Sequence, residues 1–223
     1  MPMPNPVRLF HITAIGNLAS ICAQRALVSK NTIAQQPGAY INIAHQGAQG
    51  ARAVRLVPNP PGGNIHDYVP FYYAPRSPML FTINRGNVQG CNLTQTDIVH
   101  FETSVANVLL HGEPFVIYDR NATLAYSSAY TQLADLQNIA WDLITENPQL
   151  DGFCKFWKSD PSNQRYVDRM EKRMAEFLVR SHVPLTAITR IGVLNQQKQQ
   201  QVQQILQSHQ IHIPVVVMPA WYF

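Results

Sequence analysis

Apolar and polar positions alternate with a period of two over VRLFHIT (7–13), where Leu9, His11 and Thr13 face one way and Phe10 and Ile12 the other, so a strand is expected there. GNLASICAQRAL (16–27) then switches to helical spacing through Leu18, Ile21, Cys22 and Leu27. Residues 29–63 lose any period. They are rich in Gln, Asn, Gly and Ala, end in the turn signal PNPPGG, and read as a long loop able to cover a ligand. MLFTI (79–83), DIVHFET (97–103) and PFVIYD (114–119) read as strands. Between the last two, a short helix is capped by Thr103 or Ser104 and stopped by Gly112. TQLADLQNIAWDLI (131–144) sets Leu133, Leu136, Ile139, Ala140 and Leu143 in an amphipathic helical pattern. DPSNQRYVDRMEKRM (160–174) opens a further helix with Asp160 as cap and Pro161 at its first position. AEFLVR (175–180) and ITRIGVLN (188–195) are apolar enough for central strands. A Gln-rich helix over 195–208 and a strand in IHIPVVVM (211–218) follow. The pattern predicts an α+β fold with a mixed or antiparallel sheet.

One segment fits neither template. DYVPFYYAPRSPMLFTINRG (67–86) carries Pro70, Pro75 and Pro78, each of which removes a ladder donor from a buried strand. Yet Phe71, Tyr72 and Tyr73 are too aromatic for an idle surface loop. A stiff aromatic wall beside a ligand reconciles the two.

Composition narrows the class. A length of 223 residues suits one domain over 1–223, and 46% apolar residues can fill its core. The net charge of +4 is compatible with a polyanionic partner without pointing to one. Cys22, Cys91 and Cys154 form no C-x-x-C pair, and the eight histidines lack ligand spacing, so neither a disulfide framework nor a metal site is expected. No apolar run reaches the roughly 18 residues of a membrane span, and MPMPNPVRLF lacks the apolar core of a signal peptide. A cytoplasmic protein that avoids membranes is expected.

Few residues stand out as chemistry. Glu176 in MAEFLVRSHVP sits among apolar neighbours, where a carboxylate is costly to bury without partners; otherwise it lies on an edge strand facing water. His11 and Thr13 put two hydrogen-bonding side chains on one strand face, able to orient a ribose or an amide, although a lone histidine is more often a satisfied core residue. Arg52 and Arg55 follow the aperiodic loop. Arg76, between two prolines, is preset to engage an anion or to close its loop. No G-x-G-x-x-G, P-loop or G-x-S-x-G motif is present.

Taken in order, FHITAIGNL (10–18), VPNPPGGNIHDYVPFYYAPRSPMLF (57–81), FVIYDRNA (115–122), LADLQNIAWDLI (133–144) and AEFLVR (175–180) resemble the DarT family, the toxin half of bacterial DarTG toxin–antitoxin systems. The resemblance spans nearly the whole chain. It implies an ADP-ribosyltransferase-like fold, NAD as ADP-ribose donor, and transfer to single-stranded DNA. The segment is most similar to the thymidine-modifying branch, whose acceptor atom is the ring N3. The resemblance further implies that His11, Thr13, Asn17, Tyr72 and Met79 bind NAD and that Glu176 is the catalytic glutamate. The second catalytic residue, also in contact with NAD, is the arginine ahead of the VPNPPGG turn. Spacing selects Arg52, with Arg55 as the alternative. The loop bearing Asp119, Arg120, Asn121 and Tyr126 is the candidate DNA-facing surface, and a macrodomain antitoxin is the implied protein partner. The same glutamate also serves transfer to RNA or protein, or NAD hydrolysis. From a different class, a catalytically inactive nucleic-acid-binding module is the alternative.

Overall fold

The computed structural model describes residues 2–35, 40–44 and 46–223, with only the backbone of Gln46. The chain opens with β1 (Arg8–Ala14), α1 (Leu18–Gln24), β2 (Ala26–Val28), α2 (Lys30–Ala34) and α3 (Gln46–Val54). It continues through β3 (Tyr68–Tyr72), α4 (Pro78–Asn84), β4 (Ile98–Ser104), α5 (Val105–Leu109), β5 (Phe115–Tyr118) and β6 (Ala129–Tyr130). Then come α6 (Trp141–Ile144), a small hairpin of β7 (Gln149–Leu150) and β8 (Phe153–Cys154), α7 (Arg169–Lys172) and β9 (Glu176–Arg180). The chain closes with β10 (His182–Pro184), β11 (Arg190–Val193), α8 (Gln196–Ser208) and β12 (Val215–Val217).

Eight strands form one sheet in the order β12-β11-β4-β1-β3-β9-β5-β6. Among the described residues only β11 and β12 run parallel, so the sheet is mixed and the class α+β, as the pattern predicts. β1 and β4 pair over seven residues, from Arg8 opposite Ser104 to Ala14 opposite Ile98. The next junction is different: β1 and β3 share a single register pair, Phe10 opposite Tyr72. The sheet is therefore two tightly laddered halves joined at a narrow seam.

The large core packs Leu9, Phe10, Phe71, Phe101, Phe177 and Trp221 with the apolar stripe of α8, Val202 and Leu206. A smaller cluster, including Val57, Ile65, Tyr68, Val116, Tyr118 and Leu178, covers the other face of β3, β9 and β5. Arg76 belongs to the framework. Its guanidinium donates to the Tyr222 carbonyl from Nε (2.8 Å) and Nη2 (2.6 Å) and lies over the Phe223 ring.

Several elements depart from the periodicity. Residues 68–72, expected to avoid strand structure because of Pro70, form a central strand. The Pro70 carbonyl meets the His11 ring nitrogen at 2.9 Å, so that residue's backbone faces the seam, where no ladder donor is required. Residues 79–83, expected as a strand, form α4, because Ser77 caps it by accepting from the Leu80 amide and Pro78 occupies its first turn. The long helix expected over 131–144 breaks into a 3-10 segment, Leu133–Asn138, and α6. Leu136, Ile139, Trp141, Leu143 and Ile144 are all buried there, and no single helical face could bury all five. Most of 160–174 is turn rather than helix, because Asp160 and Asn163 accept from the backbone amides two residues on. The aperiodic 29–63 stretch holds α2 and α3.

Candidate active site

Glu176 opens β9 and pairs laterally with Tyr72 on one side and Tyr118 on the other. It is a central-strand residue with no solvent exposure, which excludes the edge-strand reading. Arg52 forks onto it: Nη1 donates to Oε1 at 3.0 Å and Nη2 to Oε2 at 2.9 Å. The Ala122 amide adds a third donor to Oε1 at 3.1 Å. Oε2 therefore keeps a lone pair for a further donor. Burial opposes the Arg52 charge, but the adjacent Glu176 carboxylate outweighs it and raises the arginine's pKa. Burial, reinforced by Glu176, pushes the Tyr72 phenol far above its ordinary range.

The VPNPPGG turn fixes the arginine. Arg52 lies in the last turn of α3, and the chain beyond is locked by Val57 N–H to the Gly63 carbonyl (2.9 Å) and by the Tyr68 hydroxyl to the Gly62 carbonyl (2.5 Å). Arg180 also donates to the Pro61 carbonyl at 2.6 Å. Gly63 holds φ +84°, and a Cβ there would press on Asp67 Oδ2 at 2.5 Å. Asp67 is itself engaged, accepting from the Asn64 amide at 2.8 Å.

Beside the pair lies a cleft of about 270 Å³. His11 from β1 and Pro70 and Tyr72 from β3 line it across the seam, with Arg52, Met79 and Asn121 on further walls. The His11 Nδ1–H donates to the Pro70 carbonyl, which leaves Nε2 as an acceptor. Burial lowers the His11 pKa, only partly opposed by that bond, and keeps the ring neutral.

The structure brings Glu176, Arg52, His11, Tyr72, Met79 and Asn121 to this cleft or to the ion pair beside it. Arg55 reaches the Leu124 carbonyl at 3.4 Å instead of the carboxylate. Thr13 and Asn17 stand behind the cleft wall. The Asn17 amide donates to the Thr13 hydroxyl and the Ile41 carbonyl, both at 3.0 Å, and accepts from the Ile41 amide at 2.9 Å. They thereby tie residues 40–43 to β1. Arg120 is engaged by Asp119 at 3.0 Å and Asp168 at 3.1 Å. Tyr126 is exposed and donates to Glu171 at 2.9 Å. Sequence reasoning passed over Lys30 and His66, both lining the cleft, and the Ala122 amide. The Asn64–Asp67 capping box marks where His66 sits; a backbone amide leaves no sequence signal.

A buried carboxylate with a free lone pair, held by a guanidinium at an aromatic cleft, can stabilise positive charge developing on a sugar and accept a proton nearby. Among the described residues no cluster of three His, Cys, Asp or Glu side chains could hold a metal, and no helix is long and apolar enough to cross a membrane.

The chain is similar over nearly its whole length to proteins of known activity. The family described as "ssDNA thymidine ADP-ribosyltransferase, DarT" matches residues 10–223. A DNA ADP-ribosyl transferase of Thermus sp. (strain 2.9) is 36% identical over 224 residues, covering 99% of this chain and 98% of its own. Thermus sp. 2.9 DarT in complex with ADP-ribosylated ssDNA superposes with a TM-score of 0.87 at 33% identity, over 100% of this chain and 99% of that one. The NAD+ complex of the Thermus protein gives 0.83 at 32% identity, with both chains fully covered. The chain belongs to the DarT family of single-stranded-DNA thymidine ADP-ribosyltransferases.

Proposed function

We propose that this chain, acting as one catalytic domain, moves ADP-ribose from NAD to N3 of thymidine in single-stranded DNA, with Glu176 as catalytic carboxylate and Arg52 as its partner. The observation that carries the assignment is the buried Arg52–Glu176 fork at the cleft. The bond from the ribose C1′ to the nicotinamide nitrogen breaks, and its electron pair leaves with nicotinamide. The sugar becomes oxocarbenium-like, and the free lone pair of Glu176 holds a ribose hydroxyl and opposes the charge. Thymine N3 surrenders its proton to the Glu176 carboxylate, which Arg52 holds in position as a donor only, while its electron pair forms the new bond to C1′. The products are N3-ADP-ribosylated thymidine, nicotinamide and a proton.

His11 accepts a ribose hydroxyl at Nε2, Tyr72 and Met79 wall the nicotinamide end, and Thr13 and Asn17 hold the covering segment in place. Asn121 and Tyr126 meet the strand, where stacking on an aromatic ring is worth about 1–3 kcal/mol per base. Arg120, already paired to carboxylates, shapes that loop. The family resemblance further supports a toxin acting in the cytoplasm and opposed by a macrodomain antitoxin.

Incubation with NAD and labelled oligonucleotides tests the reading. One ADP-ribose mass should appear on thymidine-containing single strands, and little on duplexes, where pairing occupies N3. Equal labelling of strands without thymidine, or preferential labelling of RNA or protein, refutes it. Glu176→Gln should lower transfer by at least about two decades while NAD still binds.

A further inference from the structure

Lys30 lines the same cleft as Arg52 but has no carboxylate partner among the described residues; its Nζ donates to the Gln49 side-chain oxygen at 2.6 Å. An ammonium carries three donors, so two remain. His66 lines the same cleft, nearly buried, and its Nε2 has no hydrogen-bond partner among the described residues. A buried donor or acceptor without a partner is costly in a folded protein. The segments that carry the two side chains are anchored. Asn31, next to Lys30, donates to Asp67 Oδ1 at 2.7 Å, and the His66 amide donates to Asn64 Oδ1 at 2.9 Å.

The charge balance of this wall is uneven. Glu176 is the carboxylate engaged by Arg52, and its fork neutralises that arginine alone. Burial lowers the His66 pKa first, and the positive charges of Lys30 and Arg52 lower it further against the smaller opposing pull of the adjacent Asp67 carboxylate, so these groups share one local field. Lys30 is subject to the same two influences, burial and Arg52. What the wall lacks is an anion with several acceptor oxygens.

We propose that Lys30 Nζ and the Nε2–H tautomer of His66 form a phosphate subsite of the cleft. The inference rests on the proposed reaction, whose two substrates each carry phosphate: the diphosphate of NAD and the backbone of the DNA strand. A charge-assisted bond to a phosphate oxygen would satisfy the orphaned imidazole and the spare ammonium donors together.

Lys30→Met keeps the length of the side chain and removes its charge, and Lys30→Arg restores a cation. Affinities should be measured by calorimetry for NAD alone, for inorganic diphosphate alone, and for a thymidine-containing oligonucleotide over a salt series. Loss of one charge-assisted contact should weaken the relevant ligand about tenfold, with Lys30→Arg recovering most of it. Weakened NAD and diphosphate binding with unchanged DNA affinity assigns the subsite to the donor. Weakened DNA binding with a salt slope reduced by about one assigns it to the strand. If Lys30→Met leaves all three affinities within twofold, the subsite does not exist. Wild-type protein that binds diphosphate through Lys30 yet modifies no thymidine would sink the reaction and leave the subsite standing.

Discussion

Glu176 is fully buried among three N–H groups, two from Arg52 and one from Ala122. Arg52→Ala removes two of them and leaves a carboxylate that a single amide cannot satisfy. Two consequences are expected. Transfer at saturating NAD should fall by roughly two to three decades, the cost of losing a preorganised charged donor. Stability should fall by about 3–5 kcal/mol, as for other broken buried pairs, and urea unfolding reads that directly. Arg55→Ala loses one long bond to the Leu124 carbonyl, so its transfer rate should stay within a few-fold. If Arg55→Ala were the inactive variant, the roles assigned here would have to be exchanged. The two arginines are three residues apart, and spacing from the turn selects Arg52 without excluding Arg55. What separates them is the turn of α3, which aims one at the sheet and the other at a loop.

Elements of the cleft were legible in unequal measure. β1, β4, β5, β9 and α8 follow the periodicity because each buries one face against the large core. α3 was invisible, since QGAQGARAV has two glycines and no apolar stripe to mark a helix; its place depends on the turn that follows. β3 was concealed by Pro70, whose missing donor falls where the sheet has no use for it. The segment around Ile41 is held by a side chain rather than by regular structure. Asn17→Ala frees both backbone groups of Ile41, so it should raise KM for NAD several-fold with a smaller change in kcat. An equal fall in kcat with unchanged KM would place Asn17 in the chemical step instead.

At the scale of the whole molecule, the response to acid follows from buried histidines. His100 donates from Nε2 to the Pro75 carbonyl at 3.0 Å, and its Nδ1 is buried without a partner among the described residues. Burial drives its pKa down to about 4, against the pull of the Pro75 bond. The unfolded chain takes up this proton near pH 6.5 and the folded chain only near 4. The neutral ring's contribution is therefore complete above about pH 6.5 and lost as the pH falls toward 4, by up to roughly 3 kcal/mol. Chemical denaturation at pH 5 and 7.5 should show about 2 kcal/mol of that loss, and His100→Gln should show less of it; identical pH dependence would refute the assignment. The seam has a mechanical consequence as well. With one register pair between β1 and β3, the two half-sheets can open as separate cooperative units, and amide hydrogen exchange should show two distinct opening free energies in the free protein. NAD bound between His11 on one half and Tyr72 on the other would act as a rivet. Saturation with NAD should draw the two exchange classes together, so that the substrate completes a sheet which the backbone leaves nearly divided.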